Sequence, residues 1–212
     1  MEEHTLGFYP GFSAQERDDI RDWLLNAQQE AGRRTERDQG WQQWDAWMSA
    51  HGDTLVNTGG YRKLEVVTPR KIITALGETF EFDFEVEGDD DEDFDRLGQK
   101  SYEIADLPRM VQLITEFLGG RGNTRMGRFE TAICSRNALG QTTVLVCALQ
   151  LLGEFARADA VPFTPQTRRV VLSVGGGGYE FDTQAYAQHR DVVRRSLVEG
   201  VQRRIKYLEI RD

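Results

Sequence analysis

Between Thr79 and Glu87 apolar residues and carboxylates alternate more cleanly than anywhere else in the chain. Phe80, Phe82, Phe84 and Val86 interleave with Glu81, Asp83, Glu85 and Glu87. A period of two places the four apolar groups on one face of a β-strand and the four carboxylates on the other. Burial on both faces is excluded by that row, because carboxylates removed from water need partners or must neutralise. Lys71 to Leu76, ahead of Gly77-Glu78, predicts a hairpin partner, and Tyr61 to Val67 a further strand before the restriction at Pro69. Asp89, Asp90, Asp91, Glu92, Asp93 and Asp95 continue the acidic run from Gly88, which reads as a loop extended by self-repulsion.

The remaining pattern predicts helices and strands in a mixed order. Ser13-x-x-Glu16 is a capping box opening a helix with Ile20, Trp23, Leu24, Ala27 and Ala31 on one stripe. After a polar break near Gly32 to Arg37, Trp41, Trp44 and Met48 share a face with Trp47 beside it, and His51-Gly52 reads as the end of that helix. The pair predicts an αα-hairpin whose tryptophans anchor it to a core. Asp106 is placed to cap a middle helix with Met110, Val111, Ile114 and Phe117-Leu118 as its apolar stripe, ended by Gly119-Gly120. Phe129 to Ser135 and Thr142 to Leu152 read as consecutive antiparallel strands, the second nearly all apolar and therefore central. Arg169 to Val174 predicts another strand before Gly175 to Gly178, and Asp182 or Thr183 caps a last helix carrying Tyr186, Val193, Leu197 and Val201. Strands without regular βαβ alternation, bracketed by helices, predict an α+β fold with a largely antiparallel sheet. A single domain over 1–212 is expected, with a helical subdomain over 1–58 as the alternative.

Composition sharpens the picture at one place. The net charge is −9, from 26 basic and 35 acidic side chains. Glu78 to Asp95 holds eleven acids and no Lys or Arg, so the rest of the chain carries 26 bases against 24 acids. The acidity is local. No apolar stretch has the length of a membrane-spanning helix. Met1-Glu-Glu-His-Thr-Leu lacks the features of a signal peptide. Cys134 and Cys147 would sit too far apart on an Asn137–Gly140 hairpin to bridge. Buried thiols and a cytoplasmic location are the expectation.

Candidate chemistry is thin. Gly175 to Gly178 is followed by Tyr179-Glu180 in place of the Gly-Lys-Ser/Thr of a phosphate loop, so a hairpin tip or a close crossing under another element is favoured. Counting calcium-loop positions from Asp89 puts Lys100 where a bidentate Glu belongs and Phe94 where a Gly belongs. His4, His51 and His189 show no zinc spacing. No catalytic residue, metal site or cofactor is expected. Arg121, Arg125 and Arg128 sit in a Gly-bearing segment able to meet a phosphate or carboxylate, although a helix C-terminus nearby carries negative partial charge. The region from Thr183 to Asp212 holds seven basic residues, a face read first as solvated and otherwise able to meet the acidic strand within one molecule or across a dimer.

The favoured function is therefore non-enzymatic: binding of a basic protein partner by an inhibitor- or immunity-type protein. Its contacts would be Glu81, Asp83, Glu85 and Glu87 on the rigid strand face, with Asp89 to Asp93 and Asp95 steering the approach. Nucleic acid is not expected on that face, nor is a membrane. The alternatives are an enzyme or ligand-binding protein acting on an anionic, phosphate-bearing molecule through the three arginines, and a homo-oligomeric assembly subunit.

Overall fold

The computed structural model describes residues 2–35, 42–75, 85–87, 92–105, 107–121, 125–156, 167–197 and 205–210. Central strand β5 (Thr142–Ala156) is almost entirely apolar because both its faces are covered. It pairs antiparallel with β4 (Arg125–Arg136) on one side and β6 (Thr167–Phe181) on the other. Beyond β6 lie β2 (Gly60–Ile73) and then β3 (Glu85–Glu87), both antiparallel. Beyond β4 lie β1 (Glu2–Phe8) and then β7 (Ile205–Glu209), both parallel to their neighbour. The order is β3-β2-β6-β5-β4-β1-β7, so the fold is α+β with a mostly antiparallel seven-stranded sheet.

One face of the sheet is covered by α1 (Ala14–Arg34), α2 (Gln42–Asn57) and α5 (Thr183–Leu197). Ile20, Trp23, Leu24 and Ala27 of α1 meet Ala132, Val144 and Val146 of the sheet. The capping box at Ser13 and Glu16 is formed as the spacing predicts. Asp182 caps α5, accepting from the amides of Gln184 and Ala185. The opposite face is covered by α3 (Glu92–Ile104) and α4 (Leu107–Leu118). On α4, Met110, Ile114 and Phe117 are buried as the stripe predicts, while Val111 is exposed.

Several sequence expectations are corrected. The chain has strands, not helices, at both ends of the described fold: β1 precedes α1, and β7 replaces the far part of the final helix. The acidic loop gives way at Glu92 to a helix, because Phe94, Leu97, Ser101 and Ile104 recur at helical spacing and all face the sheet. There are thus two middle helices. His51-Gly52 does not end α2, which runs to Asn57 before Gly59 turns at φ 114°. Tyr61–Val67 and Lys71 onward form one strand, interrupted by a register shift between Thr68 and Lys71 where Pro69 removes a ladder donor.

Gly175 to Gly178 is no hairpin tip either. It is the middle of a 15-residue strand, crossing closely under its neighbours. A Cβ on Gly178 would stand 2.5 Å from the Phe94 ring and 2.7 Å from Leu64. The Asn137–Gly140 turn is as expected, Cys134 pairs with Val144 and Cys147 with Thr131, and both thiols are free and buried.

Candidate functional site

The missing side chains of β6 shape the ground between α2 and the β2–β6 pair. Register places Ser173, Gly175 and Gly177 of β6 towards α2, and Gly175 lies beneath Met48. A groove of about 360 Å³ opens there, with Trp44, Met48 and Ser49 of α2 on one side and Arg62, Glu65 and Arg70 of β2 on the other. That volume falls in the range of ordinary ligand pockets.

The groove is mixed in charge: Arg70 is ion-paired to a carboxylate, and Arg62 rests on an aromatic ring. Arg70 donates through Nη2 to both carboxylate oxygens of Asp45, at 2.6 and 2.5 Å. Arg62 lies over the Tyr179 ring, 5.7 Å from its centroid, and its Nη2 is 3.4 Å from the phenol oxygen. Gly52 makes room for it: a Cβ there would stand 1.8 Å from Arg62 Nη2. Burial pushes the Tyr179 phenol up, with Arg62 opposing, so the hydroxyl keeps its proton. Asp53 and Glu65 also line the groove and are exposed; among the described residues neither forms an ion pair.

The acidic strand adjoins this groove. Among the described residues β3 is the edge strand and pairs only with β2, through Glu65 opposite Glu87, Val66 opposite Val86 and Val67 opposite Glu85. Like charges directly opposite on a ladder repel, so the Glu65–Glu87 position favours a counter-charge from outside. Glu92 and Asp93 open α3, where acids suit the helix N-terminus, and Asp95 on α3 is exposed. Glu81, Asp83, Asp89, Asp90 and Asp91 lie outside the described residues, as do the side chains of Glu85, Glu87, Glu92 and Asp93.

The three arginines of the alternative reading are not assembled into one site. Arg121 is exposed, following the end of α4 on one side of the sheet. Arg128 points to the other side, its guanidinium 4.2 Å from the Trp47 ring centroid. The side chain of Arg125, at the start of β4, lies outside the described residues. Part of the basic C-terminal region is also used internally: Arg190 forks onto Asp19, which is fully buried, and Arg194 reaches Asp22.

A second polar cluster escapes sequence reasoning altogether. Glu130 of β4 is buried on the α1–α2 side with its Oε1 accepting from Gln28 Nε2 at 2.6 Å and its Oε2 3.3 Å from His51 Nε2. The same Gln28 nitrogen lies 2.9 Å from Nδ1 of His4, also buried. Trp47 stacks on His51 at 4.8 Å and on Trp44 at 5.9 Å. Burial raises the Glu130 carboxyl, but His51, His4 and Gln28 outweigh it and hold the group below the usual carboxylate range. His4 and Glu130 are partners in the β1–β4 register, a pairing that only the unpredicted strand β1 creates. The alternation of His4, Leu6 and Phe8 is its one sequence signal. Among the described residues no group of three or more potential ligands could hold a metal.

Among the described residues no helix is long and apolar enough to cross a membrane. No family model and no curated protein matches the sequence. Among solved structures the chain is similar to the Evf virulence factor, at 7% identity, over 98% of this chain and 87% of that one, with a TM-score of 0.36. At that identity and score the likeness carries no inference about function.

Proposed function

We propose that the protein binds a basic segment of a protein partner at the β3 edge and the adjoining groove, acting by occupancy as an inhibitor or immunity protein does. The observation supporting this is the state of the charges around β2: Arg70 is ion-paired to Asp45 and Arg62 rests on the Tyr179 ring, whereas Asp53 and Glu65 line the groove without an ion pair among the described residues, Glu65 one strand away from Glu85 and Glu87. Edge strands offer a row of backbone groups to an incoming segment, and flanking carboxylates select a basic one and speed its approach. The two separate, buried thiols suit a reducing compartment, and cytoplasmic action is part of the proposal.

A decapeptide alternating arginine with valine is the probe that tests it. Binding should weaken steadily as salt rises, since charge attraction drives it. Glu85→Gln with Glu87→Gln should weaken it by about fivefold, the sum of two modest charge contacts. Affinity indifferent to both salt and the double substitution would remove the basis of this reading.

A further inference from the structure

We infer that the groove between α2 and β6 is a pocket for a single arginine side chain of the partner, the point at which general attraction to the acidic edge becomes specific. This rests on the reading of the edge as a basic-partner surface, but it concerns a different set of atoms.

The lining has what a guanidinium needs and a compact ammonium does not. Trp44 and Met48 form an apolar wall for a flat, weakly hydrated cation and its methylene stem. Asp53, on α2, and Glu65, on β2, line the same groove from opposite sides. A planar fork with five donors suits carboxylates on two walls, whereas an ammonium concentrates its charge at one point. Gly175 and Gly176 line the floor without side chains, so the stem has room to lie over β6. Competing occupation from within is blocked. Asp45 holds Arg70, and Arg62 lies over the Tyr179 ring beside the bare Cα of Gly52, with no ion pair to either acid among the described residues. The mouth lies beside the partner surface as well: β3 runs one strand spacing, about 5 Å, from the β2 wall.

The test uses N-acetyl-arginine methylamide, which carries one guanidinium and no other charge, followed by the amide resonances of Val66, Gly175 and Gly176. Saturable shifts are expected at these positions with a dissociation constant on the order of 1 mM, at least threefold tighter than for the lysine analogue. Asp53→Asn with Glu65→Gln alters only exposed side chains and should abolish the shifts; Glu85→Gln with Glu87→Gln should leave the small probe bound while weakening the decapeptide. If the decapeptide binds through the edge but the small probe leaves these amides unmoved, the pocket is refuted and the edge reading stands. Equal affinity for the lysine analogue would refute the guanidinium assignment. Displacement of the same resonances by inorganic phosphate would hand the groove to its arginines and overturn the inference. Failure of both probes would remove the pocket and the edge together.

Discussion

Glu130 links the stability of the fold to pH. Its carboxyl is held below the ordinary value of 4.5 by His51, His4 and Gln28 against the opposing effect of burial. A group with a depressed folded value contributes stability that is fully present above its unfolded value and is lost as pH falls through the folded one. The unfolding free energy should therefore be flat with respect to this group near neutrality and decline below about pH 4.5. Glu130→Gln should flatten that acid decline, and Glu130→Ala should cost about 3 kcal/mol at neutral pH by opening a cavity and leaving Gln28 without its buried acceptor. Urea titrations at several pH values measure both, and an unaltered acid decline in Glu130→Gln would assign the sensitivity to other carboxylates. Little of this cluster was legible beforehand. His4, Gln28, His51 and Glu130 are separated by up to 126 positions and belong to four elements. Their meeting depends on the β1 register, which no local pattern fixes. Asp19 was invisible for the same reason: a charge on an amphipathic helix reads as solvated until α5 delivers Arg190 and Arg194 to it.

Among the elements, those with strong local signals were legible. The capping box of α1, the Trp-bearing stripe of α2, the β4–β5 hairpin and the cap of α5 all follow from spacing. The failures have a common cause, in that each element is defined by what packs on it. β1 and β7 are short and become strands through parallel pairing. The acidic residues at the start of α3 masked a helix whose buried stripe begins only at Phe94. The glycine run is a strand because α3 and α2 press on its two faces. That gives an asymmetric expectation. Gly178→Ala would drive a methyl into Phe94 and Leu64 and should cost about 1–3 kcal/mol. Gly175→Ala meets the Met48 side chain at 3.3 Å, a flexible neighbour, and should cost less than half as much. Thermal denaturation of the two variants compares them directly; equal losses would show that the two faces are packed alike.

At the scale of the whole molecule, charge and topology divide the sheet into two unlike ends. The β3 end carries the acidic strand and the groove, with four antiparallel pairings running inward from it to β4. The other end is closed by two parallel pairings, one joining residues 2–8 to 128–134 of β4 and one joining 4–8 to 205–209. The acidic character of the first end could be read from the sequence, since it needs only composition and a period of two. Its adjacency to a groove on α2 could not, because that depends on β2 crossing beside a strand whose side chains are absent.

The placement of β1 has a consequence for how the molecule is assembled in time. Among the described residues β7 pairs within the sheet with β1 alone and β1 joins it to β4, so this flank is expected to be completed only when the segment from 205 onward arrives and Glu209 meets Arg17 of α1. Contacts spanning some two hundred residues are the slowest to form and reward the chain only after a long loop has closed. The β7 amides should accordingly exchange with solvent through an opening cheaper than global unfolding, while those of β5 exchange only when the whole sheet opens. A measured opening energy for β7 equal to that of β5 would mean that the last strand to arrive is locked as firmly as the first.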